Sequence, residues 1–312
     1  MSFMSSALRV LEARALSVMG RDEAALARLD QLLADAPSHP GALFQKGKIA
    51  QRTGDSEAAE RALRQLAALS PNYPRALGTL ARLLFPGPTY REVLAFLHQR
   101  LQSRTYLEIG VEFGLTLRLS ERSERAVGVD PNPRPRHRLP PHTRVFAERS
   151  DDFFSAHSRQ DIFGEHRVDL AFIDGMHRFE YVLRDFCNVE AWCAPSATVI
   201  LHDCLPVAPI SAERERQTQF WVGDTWKALE CLLECRPDLR ILLIPCYPSG
   251  LVLIQNVNPE SRVLSEQLPS LEERYMSAPY PYAPGVRPEH YTIIDNSFAA
   301  LEAALSPARD AN

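Results

Sequence analysis

The stretch Leu107-Glu108-Ile109-Gly110-Val111-Glu112-Phe113-Gly114 places an apolar run directly before a turn that contains two glycines. The apolar residues predict a buried strand over residues 106–109, and the sequence after the turn predicts a helix. Glycine lacks a Cβ atom, so Gly110 and Gly114 let the backbone turn tightly and pass close to a ligand. In open α/β folds this happens at the carboxyl edge of the sheet. The stretch therefore predicts a ligand-binding turn.

The sequence around this turn alternates between strand-like and helix-like segments. Such alternation predicts an α/β fold with a mainly parallel sheet and helices on both faces. Around Tyr247-Pro248-Ser249, two apolar runs predict an antiparallel hairpin that closes the sheet. The predicted strands are residues 106–109, 126–129, 144–146, 170–173 and 198–201, with the hairpin at 239–245 and 250–255.

The glycine turn resembles the ExGxxxG motif of class I methyltransferases that use S-adenosylmethionine (SAM). Glu108 stands where the GxGxxG motif of dinucleotide enzymes has its first glycine. The resemblance implies a Rossmann-like sheet and a carboxylate, Glu108, that suits the cationic methionine end of SAM. Asp130 ends the second strand about twenty residues later, where an acid accepts hydrogen bonds from ribose hydroxyls. Ser150 and Asp151 follow the third strand, at the usual place for contacts to adenine. Alternatively, Asp130 only caps a turn before proline.

A second series runs Ile173-Asp174-Gly175-Met176-His177 and continues to His202-Asp203 at the end of the fifth strand. It resembles the bacterial small-molecule O-methyltransferases of the macrocin type, over about residues 104–255. The resemblance implies that Asp174 and His177 are catalytic, with His177 as general base. Asp174 and Asp203 follow adjacent strands, so their two carboxylates, with His202 as a candidate third ligand, could hold Mg²⁺ or another divalent cation that lowers the pKa of an acceptor hydroxyl.

Simpler interpretations exist for the same residues. Asp174 could shape a turn before Gly175, Asp203 could cap the next segment, and His177 could be an ordinary residue at the start of a helix. Macrocin-type enzymes have two consecutive acids where this chain has His202-Asp203, so His202 could be a ligand, a base or a packing residue. A second departure is the segment 194–197, which replaces the usual Pro-Gly-Gly turn.

The first eighty-odd residues repeat at an offset of 34 residues, the tetratricopeptide (TPR) period. The offset links Gly20 to Gly54, and it also links Leu29 to Leu63, Leu32 to Leu66, Pro37 to Pro71 and Pro40 to Pro74. This predicts an all-α TPR-like domain over residues 1–86, ending at Phe85-Pro86-Gly87-Pro88. Two units rarely bury enough surface alone, so we expect this domain to pack on the next one. We place the methyltransferase domain at 87–258 and a C-terminal extension at 259–312.

The composition and the net charge of the chain bear on which classes of partner it could bind. Hydrophobic residues make up 45% and charged residues 24% of the chain, and the net charge is −4 at pH 7; this is typical of a globular protein with no general attraction to nucleic acid or anionic membranes. The apolar runs are too short for a membrane span, and residues 1–15 lack a signal-peptide pattern. We therefore expect a cytoplasmic protein that binds neither nucleic acid nor membrane. Six cysteines without a CxxC pair predict free thiols rather than a zinc site.

These features together favour a SAM-dependent methyltransferase that modifies a hydroxyl, less readily an amine, of a small or secondary metabolite. Residues 206–222 and the Tyr- and Pro-rich residues 275–284 are the candidate walls of the acceptor pocket. The helical domain would bind a protein partner or support self-association, and we expect a homo-oligomer. One alternative is a catalytically silent methyltransferase-like interaction protein. Another is a nicotinamide-dependent oxidoreductase, which Glu108 and the closing hairpin disfavour.

Overall fold

The computed structural model describes residues 3–282 and 288–305, with side chains from residue 6 onward. Its N-terminal region is helical, and consecutive helices pack against each other. Gly54 ends α3 in the left-handed region at φ 88°, and a Cβ atom on Gly47 would lie only 2.8 Å from Leu63 on α4, so small residues allow this pair to approach. That these helices are TPR units stays a prediction. They are α1 (Phe3–Val18), α2 (Asp22–Asp35), α3 (Pro40–Thr53), α4 (Ser56–Leu69) and α5 (Ala76–Leu84).

A seven-stranded sheet forms the centre of the part of the chain that follows these helices. Its strand order is β3-β2-β1-β4-β5-β7-β6; β7 is antiparallel to both neighbours, and the other pairs are parallel. The predicted mainly parallel, Rossmann-like sheet closed by a hairpin is confirmed. The strand order switches between β1 and β4, because β2 and β3 follow on one side of β1 and β4 and β5 on the other. Open α/β folds bind ligands at such a switch point. The strands are β1 (Thr105–Ile109), β2 (Arg125–Val129), β3 (Thr143–Phe146), β4 (Val168–Ile173), β5 (Cys193–His202), β6 (Arg240–Ile244) and β7 (Leu251–Gln255).

Helices cover both faces of the sheet, so its strands are buried on both sides. Leu107 and Ile109 belong to a core shared with α9, whereas Tyr106 and Phe172 pack in a second core with α6. The six cysteines are free, as predicted. The helices of this part are α6 (Tyr90–Leu101), α7 (Ser150–Ala156), α8 (Arg159–Phe163), α9 (Phe179–Trp192), α10 (Trp226–Cys235), α11 (Leu268–Met276) and α12 (Phe298–Leu305).

The link between β1 and β2 differs from the expected helix. It contains only a 3₁₀ helix, Leu117–Arg122. Gly114 interrupts the backbone at φ 67°, and the Ser120 hydroxyl donates to the Leu117 carbonyl at 2.7 Å. A side chain that competes for backbone groups disfavours a regular α-helix in so short a link.

The end of the helical region packs into one of the two cores of the sheet. Leu63, Leu77 and Phe85 belong to the same buried cluster as Leu107 and Leu205. The predicted boundary near residue 86 marks where the sequence changes from a helical repeat to alternating strands and helices. Because buried residues from both sides pack together, the domain boundaries stay predictions. Part of the predicted acceptor wall, residues 283–284, lies outside the described residues. No helix within 3–282 or 288–305 is both long and apolar enough to cross a bilayer.

Candidate active site

β1 and β4 end side by side, and the next residue of each forms the floor of the site. Ile109 pairs with Ile173, so Gly110 and Asp174 follow at the same level. Gly110 has φ 92°, and a Cβ atom on it would lie 2.0 Å from the Asp174 carbonyl oxygen. No real Cβ contact is that short, so only glycine fits between the two strand ends.

Asp130 follows β2 and holds the glycine turn from the side. Its Oδ2 accepts the backbone N–H groups of Val111 at 3.0 Å and Glu112 at 2.8 Å. Its Oδ1 accepts the N–H of Asn132 at 2.7 Å. Each carboxylate oxygen has two lone pairs, so Oδ1 keeps one acceptor site for a ligand. Asp130 is therefore a turn-fixing residue as well as a candidate ribose ligand.

A cavity of about 790 Å³ opens along the carboxyl edge of the sheet. Most predicted site residues line it, whereas Glu108 and Gly114 do not. Gly114 faces away, because a Cβ atom there would meet Leu139 at 3.2 Å and Pro135 at 3.3 Å. The predicted residues in the lining are Gly110, Asp130, Ser150, Asp151, Asp174, His177, His202 and Asp203.

Glu108 lies beneath the turn rather than on the cavity wall. The hydroxyls of Tyr106 and Thr116 donate to its two oxygens at 2.6 and 2.8 Å. Residues i and i+2 of a strand share a face, which brings Tyr106 to the carboxyl group. Burial raises the pKa of Glu108 to about 8, against the opposing effect of these hydrogen bonds. Thr116 lines the cavity, so it stands between Glu108 and any ligand.

The ends of β4 and β5 bring Asp174, His177 and Asp203 together. The His177 Nε2 lies 3.3 Å from Asp174 Oδ1 and 3.1 Å from Asp203 Oδ2. One possible ligand atom from each of the three residues lies within 4.8 Å of the others. His177 and Asp203 have φ of 54° and 60°, which is uncommon for residues with side chains and typical of constrained functional sites.

His202 lies on the other side of Asp174. Its Nδ1 is 3.0 Å from Asp174 Oδ1 and 3.5 Å from Asp203 Oδ1. The ring of Tyr90, the first residue of α6, stacks on it with centroids 4.4 Å apart. The structure thus groups His177, rather than the predicted His202, with the two aspartates as a candidate ligand set. His202 is the packed neighbour that pairs with Asp174.

Charge pairing sets the protonation of this cluster. Burial alone would lower the pKa of His177, but Asp203 and Asp174 outweigh it and raise the pKa to about 9. Burial would raise the pKa of Asp174, yet His202 and His177 hold it well below its usual range. Without a further cation the cluster therefore pairs carboxylates with a protonated His177 at neutral pH.

The segment after β5 covers His177 from the solvent side. Trp221 stacks on the His177 ring with centroids 5.5 Å apart, and Phe220 also lines the cavity. A Cβ atom on Gly223 would lie 1.8 Å from the His177 carbonyl oxygen. The N–H of the buried Asp224 donates to that oxygen at 3.2 Å. Residues 206–222, predicted as an acceptor wall, thus contribute directly to the site.

Sequence reasoning missed several residues here. Tyr90, Thr116 and Ser249 line the cavity, and Asp185, whose pKa burial raises to about 7, lines it near Ser150. Tyr90 and Ser249 had no local signal, because each reaches the site from an element distant in sequence.

Part of the chain is similar to a known protein family. Residues 107–204 match the family model of a methyltransferase domain. The matched segment is under half of the chain, yet it contains every residue that we predicted for cofactor binding, catalysis or metal binding, whereas the predicted acceptor walls lie outside it. No protein among the curated ones matches this chain.

The fold is also similar to several solved protein structures. One is cofactor-bound Rv0187 from MTB, with 16% identity, a TM-score of 0.44, and coverage of 62% of this chain and 94% of that one. The O-methyltransferase TomG from Streptomyces achromogenes, involved in tomaymycin synthesis and solved with SAM, has 17% identity, coverage of 61% and 92%, and a TM-score of 0.42. An O-methyltransferase from Bacillus cereus in complex with SAH has 15% identity, coverage of 68% and 98%, and a TM-score of 0.42.

Proposed function

We propose that this protein is a SAM-dependent methyltransferase that methylates a hydroxyl of a small or secondary metabolite. The main support is one cavity that joins the glycine turn and Asp130 to the Asp174–His177–Asp203 cluster. Its volume of about 790 Å³ lies within the usual range of small-molecule sites. The match of residues 107–204 to a methyltransferase domain supports the same reaction class.

The cofactor half of the cavity has groups suited to SAM. The free lone pair on Asp130 Oδ1 would accept a ribose hydroxyl, and Gly110 leaves room for the ligand against the backbone. Ser150 and Asp151 lie where adenine would bind. Asp151 is held in place by Arg184, whose Nη2 is 3.0 Å from Asp151 Oδ2. Glu108 would act on the methionine end through Thr116, since its own carboxyl group does not reach the cavity.

His177 is the base in this proposal. Its Nε2 faces the two carboxylates at the edge of the cavity, beside the place where an acceptor hydroxyl would lie. It can accept a proton only when neutral, and the raised pKa keeps it protonated at pH 7 in the metal-free protein. Methyl transfer from a sulfonium needs mainly alignment of the nucleophile, carbon and sulfur, so the chain's first task is to orient the acceptor.

The donor set fits a divalent cation. Two carboxylates and an imidazole nitrogen within 4.8 Å of one another are ligands that Mg²⁺, Mn²⁺ or Zn²⁺ accept. Asp174 and Asp203 would hold the ion, and the His177 Nε2 would stay free of it, because an imidazole nitrogen bound to a metal cannot take up a proton. When bound, a cation there supplies positive charge that lowers the pKa of a nearby hydroxyl and of the His177 imidazolium.

Aromatic side chains shape the acceptor half. Tyr90, Phe220 and Trp221 form apolar walls around the cluster, and they would bind a small molecule with at least one flat or apolar face. Among the described residues, none of helices α1 to α5 lines this cavity. Docking of a protein partner, or self-association into a homo-oligomer, through the helical region remains our expectation, as does a cytoplasmic location.

Calorimetry with SAM and with NADH tests the proposal. We expect SAM to bind at one site per chain and NADH not to bind. Binding of NADH without SAM would replace the proposal by a nicotinamide-dependent reaction. If SAM binds, a screen of hydroxylated small molecules for SAH release identifies the acceptor. In that assay His177→Ala should lose most turnover while it still binds SAM.

A further inference from the structure

The tip of the β6–β7 hairpin reaches Asp203 from the antiparallel edge of the sheet. The Ser249 hydroxyl donates a hydrogen bond to Asp203 Oδ1. The Ser249 carbonyl also accepts the N–H of Leu205 at 2.8 Å, so the tip is bonded to both sides of the turn that follows β5. Ser249 is fully buried and Asp203 is only 5% exposed. This hydroxyl therefore serves Asp203 rather than solvent.

The two oxygens of Asp203 have different partners. Oδ1 accepts from Ser249, and Oδ2 lies 3.1 Å from the His177 Nε2. A carboxylate fixed at one oxygen can present the other in a single direction, because the group is planar and short. Asp203 also leaves its strand at φ 60°. The backbone there is a sharp turn, so the hydrogen bond from Ser249 fixes a carboxylate that the strand itself no longer orients.

Helices α5 and α6 hold the hairpin tip in turn. The Tyr90 N–H donates to the Tyr247 carbonyl at 2.9 Å, and the Arg82 guanidinium of α5 lies 4.0 Å from the centroid of the Tyr247 ring. A cation this close to an aromatic face is attracted to it. A Cβ atom on Gly250 would lie 2.7 Å from Leu205, which shows how closely the tip packs against the turn after β5. Ser249 thus lies on a fixed element.

We propose that Ser249 is a positioning residue for methyl transfer, because its hydroxyl holds Asp203 so that the second carboxylate oxygen faces His177. The inference rests on the proposed function and adds a residue from outside both motifs. It also gives the helical region a part in the site, since α5 and α6 hold the hairpin that bears Ser249. Ser249 does not contact the reacting groups; it acts through Asp203.

Substitution of Ser249 separates positioning from folding. Ser249→Ala and the nearly isosteric Ser249→Cys remove the strong donor, whereas Ser249→Thr keeps it. In protein labelled with ¹⁵N-histidine, at fixed pH 7 and without SAM or metal, we expect the first two variants to shift the His177 ring signals toward those of Asp203→Asn. Ser249→Thr should keep the wild-type signals. The matched control is Ser120→Ala, which removes an equally buried hydroxyl that donates to a backbone carbonyl and should leave these signals unchanged.

Turnover with the acceptor that the proposed screen identifies gives the second measurement. Ser249→Ala should lower kcat roughly 10- to 100-fold, the usual effect of losing one hydrogen bond to a charged group. The KM for SAM should stay within about twofold, because the cofactor half is untouched. Wild-type His177 signals and wild-type kcat in a folded Ser249→Ala protein would overturn the inference. If Ser249→Ala does not fold, Ser249→Cys decides the question by the same two readings.

Failure of the proposed function has a different signature. A wild-type protein that binds no SAM in calorimetry would refute the methyltransferase. The histidine spectra need neither SAM nor acceptor, so they still report whether Ser249 holds Asp203 against His177. The two statements can therefore fail separately.

Discussion

A Cβ atom on Gly110 would lie 2.0 Å from the carbonyl oxygen of Asp174. The turn after β1 and the turn after β4 are thus in contact through backbone atoms alone. The first bounds the cofactor half of the cavity and the second begins the catalytic cluster. Any side chain at position 110 has to push these two halves apart.

Gly110→Ala should therefore lose cofactor binding. The substitution adds both the clash and a strained φ of 92°, and strain at such positions costs about 1–3 kcal/mol. We expect SAM affinity measured by calorimetry to fall at least roughly tenfold. Gly54→Ala is the matched control, since Gly54 has φ 88° with no atom within 4 Å of its Cβ position. Equal SAM affinities in the two variants would contradict the prediction.

Gly223→Ala should damage catalysis and spare the cofactor. The new Cβ atom would lie 1.8 Å from the His177 carbonyl oxygen, so His177 must move. We expect kcat to fall roughly 100-fold, as when a catalytic group is displaced by about 1 Å, while SAM binding stays within about twofold. Gly164→Ala, at a similar φ but with its nearest neighbour 3.6 Å away, serves as control. A normal kcat in Gly223→Ala would show that His177 tolerates the shift.

Removal of metal should lower activity at pH 7. Without a cation, Asp174 and Asp203 keep His177 protonated, and a protonated imidazole cannot act as base. We expect dialysis against a strong chelator to reduce turnover at least roughly tenfold, and added Mn²⁺ to restore it. The double variant Asp174→Asn/Asp203→Asn should show no response to either treatment. Full turnover in the chelated wild-type protein would exclude the metal.

The pH dependence of the chelated protein follows from the same pairing. The pKa of His177 is raised to about 9, so its neutral form increases about tenfold per pH unit below that value and levels off above it. We expect residual turnover to rise in the same way between pH 7 and 9. Stability should change in the opposite direction: the contribution of protonated His177 is complete below pH 6.5 and is lost as the pH rises through 9. His177→Gln should remove both trends.

The extent of sequence-based prediction differs between parts of this site. The strands, the closing hairpin and the glycine turn were predictable because apolar runs and turn residues are local signals. Asp174, His177 and Asp203 were predictable as a group, since neighbouring parallel strands end at one edge. The burial of Glu108 was not, because it depends on the hydroxyls of Tyr106 and Thr116 below the turn.

The remaining contacts depend on tertiary packing between distant segments. Ser249 reaches Asp203 across 46 residues, and Tyr90 reaches His202 from a helix that precedes the sheet. His177, and not His202, forms a candidate ligand set with the two aspartates. The left-handed backbone at His177 contributes to this arrangement. No pattern in a single sequence specifies such distances.

Glu108→Gln should stabilise the ligand-free protein at alkaline pH. Burial raises the pKa of Glu108 from 4.5 to about 8, so the folded protein binds more protons than the unfolded chain between these values. Stability therefore falls by up to about 1.4 kcal/mol per pH unit as the pH rises from 4.5 to 8.

Glutamine has nearly the same shape and no charge, so the variant should have the higher Tm at pH 8 and nearly the wild-type Tm at pH 4.5. Calorimetric unfolding at the two pH values measures this. A Glu108→Gln protein that is less stable than wild type at pH 8 would mean that the buried carboxyl group is charged and paired.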